Sequence, residues 1–178
     1  HFPRSLFAAA NRHELPSEPI VLALLQALAL EGTERVMEVG SPTAYLAALL
    51  SQLAGEVFSL TPDPEHAKER ARYLTALGCG NVTVVHAEPR TGWPSSAPYH
   101  AIVVGAGSTD VPVELLDQLD VGGRLVIPIG DADAQMLECL RKRGNAVDTE
   151  TLSACRMDML PGLRRSPSSY PWTGSREA

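Results

Sequence analysis

The sequence predicts an α/β fold: a mostly parallel sheet with helices on both faces, finished by an antiparallel hairpin. Three observations predict it. Short apolar runs rich in β-branched residues alternate with stretches of helical apolar spacing as far as residue 130, and parallel neighbours need such crossovers. Glycines at 32, 55 and 78 follow the helical stretches, where helices stop. After Gly130 the alternation ends, and two strand-like runs flank "RGNAV", a Gly-Asn turn.

Taken in order, residues 20–30 form a buried helix closed by Gly32. "RVMEV" (35–39) is the first strand, residues 43–53 a helix stopped by Gly55, and "EVFSL" (56–60) the second strand. Residues 64–77 form a helix with its charges on one face. "NVTVVHA" (81–87) and "HAIVV" (100–104) are the third and fourth strands, residues 111–119 a helix, and "GRLVIPIG" (123–130) the fifth strand. Five parallel strands and a hairpin are the layout of a Rossmann-like, class I methyltransferase domain. One domain over residues 1–162 is expected, with a tail over 163–178.

Composition narrows the function. A net charge of −6 and a pI near 5.3 argue against binding nucleic acid through bulk positive charge. Cys79, Cys139 and Cys155 are odd in number and far apart. They read as free thiols in a reducing compartment, the cytoplasm. The longest apolar run, residues 20–30, is too short to span a bilayer, and no signal peptide is visible. The chain begins at His1, not Met, which leaves its natural start open. The Ser-, Pro- and Arg-rich tail reads either as loosely ordered or as a docking segment anchored by Tyr170 and Trp172. The five histidines (His1, His13, His66, His86, His100) show no metal-ligand spacing. His86 and His100 are candidate neighbours at strand ends.

The block "APYHAIVVGAGSTDVPVELLDQLDVGGRLVIPIG" (97–130) strongly resembles protein-L-isoaspartate O-methyltransferases, with their Leu-Leu-x-Gln-Leu helix end and Gly-Gly-Arg-Leu-Val-Ile-Pro strand. "GWPSSAPY", "NVTVVHAE", "GEVFSL", "RVMEVGSPTAYLAALL", "FPRSLF" and "SEPIVLAL" extend the resemblance over nearly the whole chain to Gly162. The resemblance implies S-adenosylmethionine (AdoMet) as cofactor and the free carboxylate of isoaspartate in damaged proteins as acceptor. Function is a property of the site, not the fold.

The implied site residues are altered in four places. Against the family's Glu-hydrophobic-Gly-x-Gly-x-Gly-Tyr, Glu38, Gly40 and Tyr45 match, while Pro42 and Ala44 replace the second and third glycines. Proline removes an N–H donor and adds a ring, and Ala44 is expected to put a methyl where the cofactor lies. Thr61 stands where the family has the acid that grips the ribose hydroxyls. Asp63, two residues on, reads as a helix N-cap. Glu88 keeps a charge near the expected adenine, but Pro89 removes the donor beside it, and His100 replaces the strand-four acid. On the substrate side Ser17 matches the family serine that places the acceptor, or is a plain N-cap with Pro19 in the first turn. The glycine-rich loop before it is absent.

Each charged hydrogen bond lost is worth roughly 1.5–3 kcal/mol, about ten- to a hundredfold in affinity. Scaffold retained and site eroded point to a non-catalytic accessory or structural subunit of a protein complex, with no cofactor. The alternative is a divergent, active AdoMet-dependent carboxyl O-methyltransferase using Ser17 and a cofactor site of Glu38, Gly40, Tyr45 and Glu88. A pocket repurposed for another small ligand is the third option.

Overall fold

The computed structural model describes residues 18–159. Helix α1 spans Glu18–Leu28, β1 Arg35–Val39, α2 Tyr45–Ser51 and β2 Glu56–Thr61. They are followed by α3 (Pro64–Ala76), β3 (Val82–His86), a 3-10 turn at Pro94–Ser96, β4 (Tyr99–Val104) and α4 (Val113–Asp117). The chain closes with β5 (Leu119–Gly130), β6 (Gln135–Arg143) and β7 (Ala146–Cys155). The expected fold is the observed one: a seven-stranded sheet in the order β3-β2-β1-β4-β5-β6-β7. The first five strands are parallel and the last two antiparallel.

Central strands β1 and β4 are buried on both faces, as parallel strands between helical layers must be. Strand alternation sorts their side chains. Val36, Val57, Ala101 and Val103 meet α1 and α2 through Val21, Leu24, Leu28, Leu46 and Leu50. Met37, Phe58, Leu60, Ile102 and Val104 face the other way, against Leu115 and Leu119. Register follows from the same alternation: Glu38 lies beside Ser59, on the face carrying Val36 and Val57, which α2 and α3 cover.

Several bounds differ from expectation. Helix α1 stops at Leu28, because Ala29 turns left-handed (φ 44) and Arg124 donates to the Leu28 and Ala29 carbonyls. Helix α2 starts at Tyr45, after a turn in which the Tyr45 N–H donates to Thr43 Oγ1 at 3.3 Å. Helix α4 is five residues long, since Leu119 already pairs with Tyr99 in the sheet. Lys142 Nζ caps α4 by donating to the Leu116 and Asp117 carbonyls at 3.1 and 3.3 Å, and to Leu119 O at 2.8 Å. The three cysteines are free, Cys79 and Cys139 buried and Cys155 half-buried. Among the described residues no helix is long and apolar enough to cross a membrane.

Candidate functional site

In an open parallel sheet ligands lie outside the carboxyl ends of the strands. Here that crest is formed by the turns after β1 to β4. The turn after β1 is built on a buried acid. Glu38 is fully buried; its Oε1 accepts from the Ser41 N–H at 3.1 Å, and its Oε2 accepts from Ser59 Oγ at 2.6 Å. Arg70, reaching in from α3, lies 3.5 Å from Glu38 Oε2 and donates to Ser59 Oγ at 2.9 Å and to the Ser41 carbonyl at 2.6 Å. A buried ion pair persists only where such additional hydrogen bonds satisfy its remaining groups. The helix over 64–77 was expected to carry its charges on one face, and Arg70 departs from that by being buried. It is one helical turn from buried Leu74, on the stripe that meets the sheet.

Gly40 has φ 80, a left-handed value that favours glycine, so its match to the family turn has a conformational cause. Positions 42 and 44 do not have positive φ. Ala44 has αR dihedrals at the start of α2, and its methyl packs with Ala47, Ala48, Leu74 and Cys79. This corrects the expectation that the Ala44 methyl fills the cofactor's space. Pro42 alone carries that argument: with Ser41, Thr43, Tyr45, Leu46, Val21, Leu24, Gly105 and Met157 it lines a small apolar cleft of about 10 Å³, close to what one water needs.

At the end of β2 Thr61 is buried. Asp63 caps α3: Oδ1 accepts from the Glu65 and His66 N–H groups at 2.8 and 3.0 Å. The His66 N–H, with that of Glu65, holds the Asp63 carboxyl below its ordinary value. After β3 Glu88 is exposed, and its carbonyl accepts from the Thr91 and Gly92 N–H groups at 3.1 and 3.2 Å. Arg90 then forms a two-pronged pair with Asp110 at 3.0 and 2.7 Å. That bond raises the Arg90 pKa and ties the loop after β3 to the loop after β4. His86 and His100 are not neighbours. His86 ends β3, 3.1 Å from the Pro62 carbonyl, whereas His100 is the second residue of β4, its Nδ1 accepting from the Arg35 N–H at 2.9 Å. They sit at opposite ends of strands separated by β2 and β1.

The loop after β4 closes on the turn after β1. A Cβ at Gly105 would lie 2.1 Å from Ser41 Oγ, so any larger residue would have to displace the Ser41 side chain. Residues 156–159 return over this loop, held by Gln135, which accepts from the Met157 N–H at 2.9 Å and donates to the Met157 carbonyl at 2.8 Å. Neither this return nor Arg70 and Gln135 was foreseen as part of the site. Glu38, Gly40 and Tyr45 come together on one turn, and Glu88 stands two strands away, past β2. Ser17, the "FPRSLF" segment, Tyr170, Trp172 and the boundary at 162 lie outside the described residues. Among the described residues no three His, Cys, Asp or Glu side chains are grouped to hold a metal.

Fold and crest together define a Rossmann-like protein of the class I methyltransferase type. The model of the family described as protein-L-isoaspartate(D-aspartate) O-methyltransferase matches residues 10–160, and the chain belongs to that family. It is 38% identical over 175 residues to protein-L-isoaspartate O-methyltransferase 1 of Syntrophobacter fumaroxidans, covering 90% of this chain and 82% of the relative. It is 36% identical to the enzyme of that name from Syntrophus aciditrophicus, covering 97% and 84%. A solved protein-L-isoaspartate O-methyltransferase superposes with TM-score 0.75 at 25% identity, over 83% of this chain and 49% of that one. A putative Plasmodium falciparum member, solved with S-adenosyl-L-homocysteine, shares the fold at TM-score 0.61 and 21% identity, over 80% and 71%.

Three of the positions at which the family resemblance places AdoMet contacts differ in this chain. Thr61 offers no charge to a ribose, the Asp63 carboxylate is turned to its own helix, and Pro42 walls the cleft.

Proposed function

We propose that this member of the family has lost useful AdoMet affinity and serves as a non-catalytic, protein-binding subunit of a complex. One observation carries the reading: at the end of β2 the ribose-gripping acid is absent, and the nearest carboxylate, Asp63, is engaged by two backbone N–H groups of α3. Pro42 in the cleft wall acts in the same direction. Retention of the seven-stranded sheet among the described residues beside these changes supports a role for the folded surface. Calorimetry of the full chain with S-adenosylhomocysteine tests it. The reading expects a dissociation constant in the millimolar range or weaker, and micromolar binding overturns it.

A second reading has its own support. Gly40 keeps its left-handed turn, Glu38 stays fixed beneath it, and the Ala44 methyl points into the core. The relatives above bear the name protein-L-isoaspartate O-methyltransferase. On this reading the chain is a divergent AdoMet-dependent carboxyl O-methyltransferase, with Glu38, Gly40, Tyr45 and Glu88 on the cofactor side and Ser17 on the acceptor side. Transfer of labelled methyl to an isoaspartyl peptide, abolished by Gly40→Val, would establish it. No transfer above that variant's background would remove it.

A further inference from the structure

Glu38–Arg70 is the most deeply buried ion pair among the described residues, and it does more than neutralise two charges. Ser41 is fixed at both ends of its backbone: its N–H donates to Glu38 Oε1 at 3.1 Å, and its carbonyl accepts from Arg70 Nη2 at 2.6 Å. The Ser41–Pro42 peptide is trans, as the cis bond among the described residues is Ala97–Pro98. In a planar trans peptide the carbonyl oxygen and the substituent on nitrogen point in opposite directions. With the carbonyl drawn toward α3, the ring carbon on nitrogen 42 points the opposite way, and Pro42 is one of the residues that line the cleft. Any other residue would present an N–H donor there. Proline presents a ring carbon.

We propose that Arg70 is a positioning residue for the cleft and Pro42 its specificity-determining residue. The guanidinium orients the 41–42 peptide, and the atom on nitrogen 42 then decides whether the cleft takes a carboxylate or carbonyl oxygen. With proline the wall rejects such an acceptor and admits only an apolar group. The inference rests on the reading of the cleft as an eroded cofactor site and goes beyond it, because it places the closure in one peptide plane held from a helix two elements away.

The test is a chemical-shift titration of the full chain with S-adenosylhomocysteine, a method that reads millimolar constants. P42A restores the donor and is expected to bind about tenfold tighter or more, the worth of one charged hydrogen bond. P42G should match it within about threefold, because residue 42 does not sit at positive φ. Arg70→Lys added to P42A should stay folded and lose the gain, since a single ammonium lacks the guanidinium fork that holds Ser41 O and Ser59 Oγ together. In P42A the amide of position 42 should be among the signals the ligand moves most, a readout that does not depend on how the Arg70 variant folds. P42A binding no tighter than the unaltered chain, an unmoved amide at position 42, or a folded R70K/P42A that keeps the gain each overturns this proposal alone. Micromolar binding by the unaltered chain would overturn the eroded-site reading as well.

Discussion

The crest and the crossover side of the sheet use their polar groups differently. On the crossover side, side chains reach across the chain to anchor backbone. Gln118 accepts from the Trp93 N–H at 2.8 Å and donates to the Thr91 and Glu114 carbonyls at 2.8 Å each. Asn81 donates to the Ser51 and Ala54 carbonyls at 2.9 and 3.0 Å. Tyr99 donates to the Trp93 carbonyl at 2.6 Å, and burial pushes its pKa up to about 12. These bonds tie backbone segments of the fold together. On the crest, Pro42, Pro62 and Pro89 follow the ends of β1, β2 and β3, each without a backbone donor. The charged groups nearby turn inward: Glu38 to Arg70, Asp63 to α3, Arg90 to Asp110. A cofactor site holds donors and charges ready for a ligand. On this crest Glu88 stays exposed, while Glu38, Asp63 and Arg90 are engaged within the protein.

If that contrast is right, the largest effect lies under the crest. Arg70→Met leaves Glu38 buried and unpaired and should cost about 3–5 kcal/mol by denaturant unfolding. Replacing both partners by apolar residues of similar volume should recover most of that loss. A fully additive double variant would mean the two side chains are not coupled. On the crossover side, Gln118→Ala should cost about 1–3 kcal/mol, because it strands buried backbone groups, without changing ligand affinity at the crest. A coupled loss of both would blur the distinction between the two regions.

The contrast was partly legible in sequence. Strand β1 stands where its apolar run puts it, and β2 and β4 each extend theirs by one residue, because a run buried on both faces has little freedom of position. Asp63 was readable as a cap from the Asp-Pro step. Arg70 was not, since helical spacing shows which residues share a face but not what lies beneath it. Its partners Glu38 and Ser59 come from two different strands and meet only through the register. The i, i+4 relation of Arg70 to Leu74 was the available sign that it faces inward. The orientation of Ala44 was likewise hidden, because a motif position says where glycine is usual but not where an added methyl would point.

The smallest effect concerns the Asp63 cap. Asp63→Ala should lower the melting temperature modestly at neutral pH. Because the folded carboxyl titrates below its ordinary value, the cap's contribution is present above the unfolded pKa and is lost as pH falls through the folded one. The difference between the two proteins should therefore shrink in acid. A difference that stays constant from neutral pH into that range would mean the carboxylate is not what stabilises α3.

The fold is kept here while useful affinity for S-adenosylmethionine is lost, on the reading proposed above. A melting curve of the full chain, recorded with and without S-adenosylmethionine at a concentration a hundred times a typical micromolar dissociation constant, tests it most directly. An intact site would be stabilised by about 2.7 kcal/mol under those conditions. The expected result is a cooperative transition that the ligand does not move. A rise of several degrees would contradict it and show that the chain still binds the cofactor.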